Sequence, residues 1–227
     1  MPFLSARSGP VPRDAVHHPV FARCYARFSV RAETGMGMGP LRDRLLAGLS
    51  GRVIEIGAGN GLNFAHYPGA VSEVVAIEPE RLLRQLAVES ALRSQVPVDV
   101  VPGAAEALPV KSEAFDAAVL SLVLCSVRDV ERALAEVRRV LRPGGEVRFL
   151  EHGLGGGPAM TFTQRALDRT LWPRLSGGCH LSRRPVAALR AAGFTLGPYR
   201  QVLVPERGPR LPSSYCVLGT AWRAPDA

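Results

Sequence analysis

The 227-residue chain predicts an α/β fold, a doubly wound sheet with helices on both faces, and three observations carry that prediction. Strand-like and helix-like periods alternate from Gly51 to Gly153, the pattern of parallel strands joined by helical crossovers. Residues 52–64, RVIEIGAGNGLNF, run a β-branched stretch into Gly57, Gly59 and Gly61, a turn that needs positive φ and brings bare backbone close to a ligand. Residues 115–127, FDAAVLSLVLCSV, are apolar almost throughout, as a central parallel strand buried on both faces must be.

Composition narrows the function classes. Apolar residues make up 47% and charged residues 21% of the chain, the balance of a globular enzyme long enough to bury a full core. No apolar run approaches the ~18 residues that cross a bilayer, and the N-terminus lacks a signal-peptide core. A cytoplasmic protein without an integral membrane segment is therefore expected, with peripheral membrane contact left open. The net charge of +8 would suit a nucleic acid, but the basic residues are nearly all arginines and are scattered without a run, so no nucleic-acid partner is expected. Cys24, Cys125, Cys179 and Cys216 lie far apart without metal-ligand spacing; free thiols in a reducing compartment are expected, and no metal site.

Taken in order, residues 1–16 are rich in Pro, Ser and Gly and read as a flexible leader, and residues 17–227 as one domain. Within it, 17–50 form a helical lid, 51–153 the core, and 154–227 further helices and closing strands. In residues 17–30, Val20, Phe21, Cys24, Tyr25 and Phe28 fall at helical spacing on one face; the stripe packs on the domain or closes over a ligand mouth. The run GMGMGP at 35–40 is a poor helix former and is expected to hinge before a helix at 41–49. The glycine strand leads through its turn into a helix; a second strand covers 71–79, a helix 82–94, a third strand 98–101, and a loop 102–110. After the 115–127 strand, Val130, Leu134, Val137 and Leu141 share one helix face, and Pro143-Gly144-Gly145 ends that helix before the strand EVRFLEHG. Beyond it come the loop GLGGGP, a helix over MTFTQRALDRTLWPRL broken at Pro173, the loop GGCHLSRR, a helix opened by Pro185, and two strands near 195–204 and 214–222.

Ligands of such sheets bind at the carboxyl ends of the strands, where Glu55, Glu78, Ser121, Glu151 and His152 fall. Glu78 stands about twenty residues past the glycine turn, where a carboxylate accepts hydrogen bonds from both hydroxyls of a ribose. Gly61 comes one residue earlier than in dinucleotide enzymes, which disfavours a dehydrogenase. In the 102–110 loop, Ala105 and Glu106 are positioned to meet a base edge.

The ordered set EIGAGNG, VVAIEP, GAAEALP, FDAAVLSLVLCSV and EVRRVLRPGG resembles the class I S-adenosylmethionine (SAM) methyltransferases, in the branch that also holds the ubiquinone and menaquinone methylases. LVLCSV, Glu151-His152, GCHLSR and the spaced Pro212, Tyr215 and Gly219 are similar to the methyltransferase-like 7 group, the alkyl-thiol methyltransferases of animals. The animal enzymes carry an apolar N-terminal anchor where this chain has a polar, proline-rich leader.

The resemblance implies a Rossmann-like sheet of seven strands, the last antiparallel, with SAM as methyl donor. Carried over by position, Gly57, Gly59 and Gly61 would approach the methionine part and sugar, and Glu78 with Pro79 would hold the ribose. Glu55 would hold the amino group through water, Ser121 and Leu122 would lie by the methionine end, and Tyr25 would resemble a lid tyrosine.

The acceptor is expected to be small and fairly apolar. A thiol is favoured because it ionises most easily, with a hydroxyl, amine or carbon of a secondary metabolite next. Lipid-headgroup or quinone methylation and a SAM-binding protein without catalysis are the alternatives. His152 and His180 are the candidate bases, and each is also accounted for as a structural residue. Phe21, Phe28, Cys125, Trp172 and Tyr215 are the candidate acceptor-pocket residues, with core packing the plainer reading of each.

Overall fold

The structure is a computed structural model that describes residues 19–225. The expected leader at 1–16 lies outside the described residues. Seven strands form one sheet in the order β3-β2-β1-β4-β5-β7-β6, where β1 is Gly51–Ile56, β2 Val71–Ile77, β3 Val98–Val101, β4 Phe115–Ser121, β5 Leu141–His152, β6 Phe194–Leu203 and β7 Tyr215–Arg223. The first five pair in parallel, and β7 runs antiparallel to both β5 and β6. The order reverses between β1 and β4, and the carboxyl ends of those two strands frame the crevice that such a reversal opens.

Alternation along the strands divides the core in two. Ile54, Ile56, Val75, Ile77 and Leu120 join Leu134 and Val137 of α4 (Val130–Val140) and Leu189 of α7 (Pro185–Ala191) on one face. Val53, Val74, Ala76 and Val119 join Leu41 and Leu45 of α2 (Met38–Leu46) and Ala87 of α3 (Arg81–Ala91) on the other. Helix α4 starts where the Asp129 carboxylate accepts the Arg132 amide at 3.0 Å, and α3 where Glu80 accepts the Leu83 amide at 3.0 Å; each side chain satisfies an otherwise orphaned N–H of the first turn.

The structure departs from the expected elements in five places, one of them that Leu141 and Pro143-Gly144-Gly145 belong to β5 and not to the end of α4. No α-helix follows the glycine turn; a short 3-10 turn at Phe64–His66 does, because Pro68 arrives before a second helical turn can form. The strand expected over 115–127 stops at Ser121, and Leu122 adopts φ +58°, so the chain turns at the sheet's edge instead of continuing. Helix α1 (Pro19–Gly35) buries Ala22, Ser29 and Ala32, while Val20 is 72% and Phe28 58% exposed; the aromatic stripe straddles the helix's contact face. Residues 35–40 do not form an open hinge: α1 ends at Gly35 and α2 begins at Met38. Arg42 in α2 donates from Nε to Glu33 of α1 at 3.0 Å, tying the two helices across the turn.

Helices α5 (Pro158–Asp168) and α6 (Trp172–Leu175) follow β5. The break between them falls at residues 169–171, and Pro173 sits in the first turn of α6, where its missing N–H costs nothing. Among the described residues, no helix is long and apolar enough to cross a membrane.

Candidate functional site

A cavity of about 500 Å³ opens at the carboxyl ends of β1, β2 and β4. Ten residues that the sequence singles out line it: Phe21 and Tyr25 from α1, Gly57 and Gly59 from the glycine turn, Glu78 and Pro79 after β2, Ala105 and Glu106 from the 102–110 loop, and Ser121 and Leu122 at the end of β4. Its exposed lining is mostly apolar, and the glycine turn presents bare backbone to it. Gly57 and Gly59 have φ of +70° and +59°. A side chain at Gly57 would strike Val123 at 2.6 Å, and one at Gly59 would meet the Tyr25 ring at 3.3 Å.

Glu78 is 5% exposed, and its carboxylate braces the turn it faces. Oε2 accepts the Gly59 amide at 2.7 Å and Oε1 the Glu80 amide at 2.8 Å. Burial is the chief influence on its pKa, which is pushed up to about 7. Each oxygen keeps a further lone pair for a hydroxyl donor. Glu106 lines the cavity as well, but its Oε1 accepts the Arg128 amide at 2.9 Å and the Asp129 amide at 3.3 Å, so the carboxylate also holds the start of α4.

Glu55 and Gly61 sit below the cavity. Strand alternation turns Glu55 toward α2, where Oε1 accepts from Asn63 Nδ2 at 2.8 Å and Oε2 from the Tyr67 hydroxyl at 2.7 Å. Burial raises its pKa to about 7. The carboxylate borders only a recess of about 10 Å³ beside Tyr25, Ser121 and Leu122. Arg42, 6% exposed, donates to Asn63 Oδ1 at 2.7 Å and to Glu33, so a continuous polar chain links the glycine turn to α1. Gly61 packs against Phe64 and Ser90 and shapes the turn from behind.

The two candidate bases are not on the cavity wall. His152 ends β5, off the cavity lining, and its Nδ1 is 3.3 Å from Cys179 Sγ. His180 donates from Nδ1 to the Gly178 carbonyl at 2.7 Å, a contact that fixes its tautomer and leaves it as a loop brace. Of the expected acceptor-pocket residues, only Phe21 lines the cavity, with its ring 5.5 Å from that of Tyr25 and lying over the bare Gly177. Phe28 points away from the body, and Tyr215 is buried against Gly155. Trp172 and Cys125 pack with Cys179 and Leu181 in a small separate core.

Two features were missed, the partners of Glu55 and the meeting of two cysteines with His152, while Glu151, expected at a strand end, takes a structural role. Arg42, Asn63 and Tyr67 carry no motif of their own, although a buried acid inside β1 signals that partners must exist. Glu151 is fully buried and accepts the amides of Val123, Leu124 and Cys125 at 2.9, 2.9 and 3.3 Å, which pins the strained turn after β4. The four cysteines do contain a ligand cluster: Cys125, Cys179 and His152, from three separate stretches, bring their donor atoms within 4.8 Å of one another. Sequence spacing cannot register that, because the fold and not the local chain brings them together.

The family model described as a methyltransferase domain matches residues 54–149. The chain is similar to the thiol S-methyltransferase TMT1A of Homo sapiens, 37% identical over 155 residues, covering 66% of this chain and 63% of that protein. It is also similar to a ubiquinone/menaquinone biosynthesis C-methyltransferase of Syntrophotalea carbinolica, 31% identical over 141 residues, covering 60% of this chain and 58% of that protein. Among solved structures, a SAM-dependent methyltransferase of Thermotoga maritima, described as a possible histamine N-methyltransferase, superposes with a TM-score of 0.64 at 23% identity, covering 90% of this chain and 98% of that one. The sheet order and the bare glycine turn facing Glu78 are those of the class I methyltransferase fold, residues 54–149 match a methyltransferase domain, and the chain spans 63% of the length of the human thiol S-methyltransferase it resembles.

Proposed function

We propose that the chain transfers a methyl group from SAM to a small, fairly apolar acceptor, with a thiol the favoured nucleophile. The observation that carries this is the cavity itself, which sets a buried carboxylate and bare glycine backbone beside an apolar wall. The residues fit the donor. Glu78 offers two oxygens to a ribose, the 102–107 loop supplies a slot for a base, and Gly57 and Gly59 let backbone approach without side-chain interference. SAM, when bound, supplies an electrophilic methyl carbon on a sulfonium. The chain's part is to align the acceptor with that carbon and keep water away, which for an in-line displacement is most of the catalysis.

Phe21 and Tyr25 support a role for α1 as a lid, since both rings reach over the cavity from a helix anchored through Glu33 and Arg42. The similarity to a protein named thiol S-methyltransferase supports a sulfur acceptor, and the similarity to a quinone C-methyltransferase makes a quinol the second class to assay. The basic residues are dispersed in local pairs such as Arg52–Glu73, Arg139–Glu136 and Arg148–Glu146, which supports a small-molecule acceptor over a nucleic acid. Free cysteines throughout the described residues suit a cytoplasmic setting.

Calorimetry with SAM, S-adenosylhomocysteine and NAD, followed by mass spectrometry over thiols, quinols, phenols and amines, tests the proposal. Binding of the two adenosyl compounds and methylation of a thiol are expected. Binding of NAD alone would overturn the donor, and methylation restricted to quinols would overturn the acceptor.

A further inference from the structure

Cys125 follows the turn after β4, Cys179 lies in the loop after α6, and His152 ends β5. Their donor atoms lie within 4.8 Å of one another, with Cys179 Sγ and His152 Nδ1 at 3.3 Å. In a tetrahedral zinc site, Zn–S of about 2.3 Å and Zn–N of about 2.0–2.1 Å set ligand-to-ligand separations of roughly 3.5–3.8 Å. Bringing separations of at most 4.8 Å into that range moves a donor atom by about 1 Å. Both cysteines are buried, at 2% and 6% exposure.

Three side chains bring their donor atoms within 4.8 Å of one another, a group that does not include Cys216, the strand partner of His152. On the inner side stand Leu181, Leu167 and Trp172, which offer no ligand atom to a cation. The two nearby carboxylates are engaged: Glu151 with three backbone amides, and Asp168 with the amides of Leu181 and Ser182 and the Ser182 hydroxyl. On the outer side, Ser126 and Gly178, the chain neighbours of Cys125 and Cys179, line the 500 Å³ cavity. Gly178 has φ +89°, and a side chain there would strike the Ser126 carbonyl at 2.9 Å, so Gly178 presents bare backbone at that point.

We propose that Cys125, Cys179 and His152 bind one zinc-class cation whose fourth position opens toward the cavity and takes a thiol ligand. Two thiolates and an imidazole select soft or borderline cations, and three protein ligands with one open position is the arrangement of catalytic rather than structural zinc. Binding the metal releases the two cysteine protons. A thiol entering the fourth position releases one more as it becomes a thiolate ligand, so no general base on the cavity wall is needed. The choice of a thiol as fourth ligand rests on the acceptor class proposed above; the metal site does not.

The test uses the full chain, reduced and stripped of metal with a chelator under anaerobic conditions, and titrated with Co²⁺. One equivalent is expected to give the visible bands of a tetrahedral site with sulfur charge transfer, to be displaced by Zn²⁺, and to shift when ethanethiol is added. The Cys125→Ser/Cys179→Ser protein should lose the sulfur bands. His152→Asn should bind Zn²⁺ roughly 100-fold or more weakly, since loss of outer-shell partners alone costs 10- to 100-fold. If the double variant fails to fold, Cys179→Ser alone and chelator reversal on the natural chain give the same readout.

No saturable Co²⁺ or Zn²⁺ uptake, or uptake without sulfur charge transfer, overturns the site. Bands indifferent to ethanethiol overturn the open position. SAM calorimetry on the metal-free chain keeps the two proposals apart, because a chain that binds cobalt at these thiols but not SAM would refute the methyl-transfer function and leave the metal site standing.

Discussion

Replacing Glu78 by Gln tests the donor pocket at a single atom. The Glu78 carboxylate is 5% exposed and holds the Gly59 and Glu80 amides at 2.7 and 2.8 Å. Burial lifts its pKa from 4.5 to about 7, so above that pH the charge costs the ligand-free fold on the order of 3 kcal/mol. Glutamine removes the charge but turns one acceptor oxygen into an NH2 group that cannot accept from the facing amide. The unmet donor costs about 1–3 kcal/mol. The two changes oppose each other, so stability near pH 8 should move by about 2 kcal/mol or less. Affinity has no such compensation. Ribose hydroxyls lose an ionised acceptor worth about 1.5–3 kcal/mol, which weakens SAM binding roughly 10- to 150-fold.

The pH profile isolates the same group. Hydroxyl donors favour the ionised carboxylate, so bound SAM draws the pKa of Glu78 below its free value of about 7. Affinity is therefore full above that pH and falls, by at most about tenfold per pH unit, as pH drops below it. The Glu78→Gln protein should lack this slope. Calorimetry on both proteins from about pH 8 to about pH 6 reads the two predictions together. Equal affinities and a flat profile for the natural chain would show that the ribose is held elsewhere.

Three further outcomes follow from the packing. Glu55 and Glu78 at about 7 and Glu151 at about 6 are all raised by burial; their contribution to stability is full below pH 4.5 and lost as pH rises through those values, so the ligand-free chain should melt several degrees higher at about pH 5.5 than at about pH 8.5. A melting temperature that instead rises with pH across that window would contradict these assignments. Gly61→Ala places a methyl 2.6 Å from the Phe64 ring at φ +77° and should cost about 2–5 kcal/mol, whereas Gly144→Ala, at φ +76° with nothing within 4 Å, should cost only about 1–2 kcal/mol in the same urea titration. Arg42→Met leaves Glu33 and Asn63 without their shared donor; a loss of about 2–4 kcal/mol and faster proteolytic cutting within α1 are expected, and an unchanged cleavage pattern would mean that α1 is anchored by other contacts.

Much of the cavity lining was legible in the sequence because its residues are adjacent in the chain or stand at strand ends. A glycine that must be bare is read from its neighbours, and an acid that closes an apolar strand is read from its position. So Gly57, Gly59, Glu78, Pro79, Ala105, Glu106, Ser121 and Leu122 all line the cavity. The placement of Phe28, Cys125, Trp172 and Tyr215 off that lining was not legible, because it depends on which face α1 presents and where the chain leaves β4. Leu122 to Val127 are as apolar as the strand before them, yet the strand ends at Ser121. The Leu122 amide is held by the Leu150 carbonyl at 2.7 Å, and the next three amides are collected by Glu151. A carboxylate thirty residues away decides where that strand stops, and periodicity cannot register it. The same turn pulls Cys125 out of strand register and into the company of Cys179 and His152.

The three buried acids at the strand ends divide one task. Glu55 accepts from Asn63 and Tyr67 beyond the glycine turn, and Asn63 in turn accepts from Arg42 of α2. Glu78 holds the turn's second glycine from the neighbouring strand, and Glu151 holds the turn after β4. Each carries a pKa raised by burial, so each costs stability in its charged form; none is the cheapest way to fill a core. What they provide is backbone held in place along a crevice, with two positions at φ +70° and +58°, Gly57 and Leu122, both on its lining. Only Glu78 keeps an edge toward the cavity. The other two act through the loops they hold, which is why acids equally visible at strand tips end in different roles: the one left facing open space is positioned for a ligand, and those enclosed by amides and hydroxyls shape the wall around it.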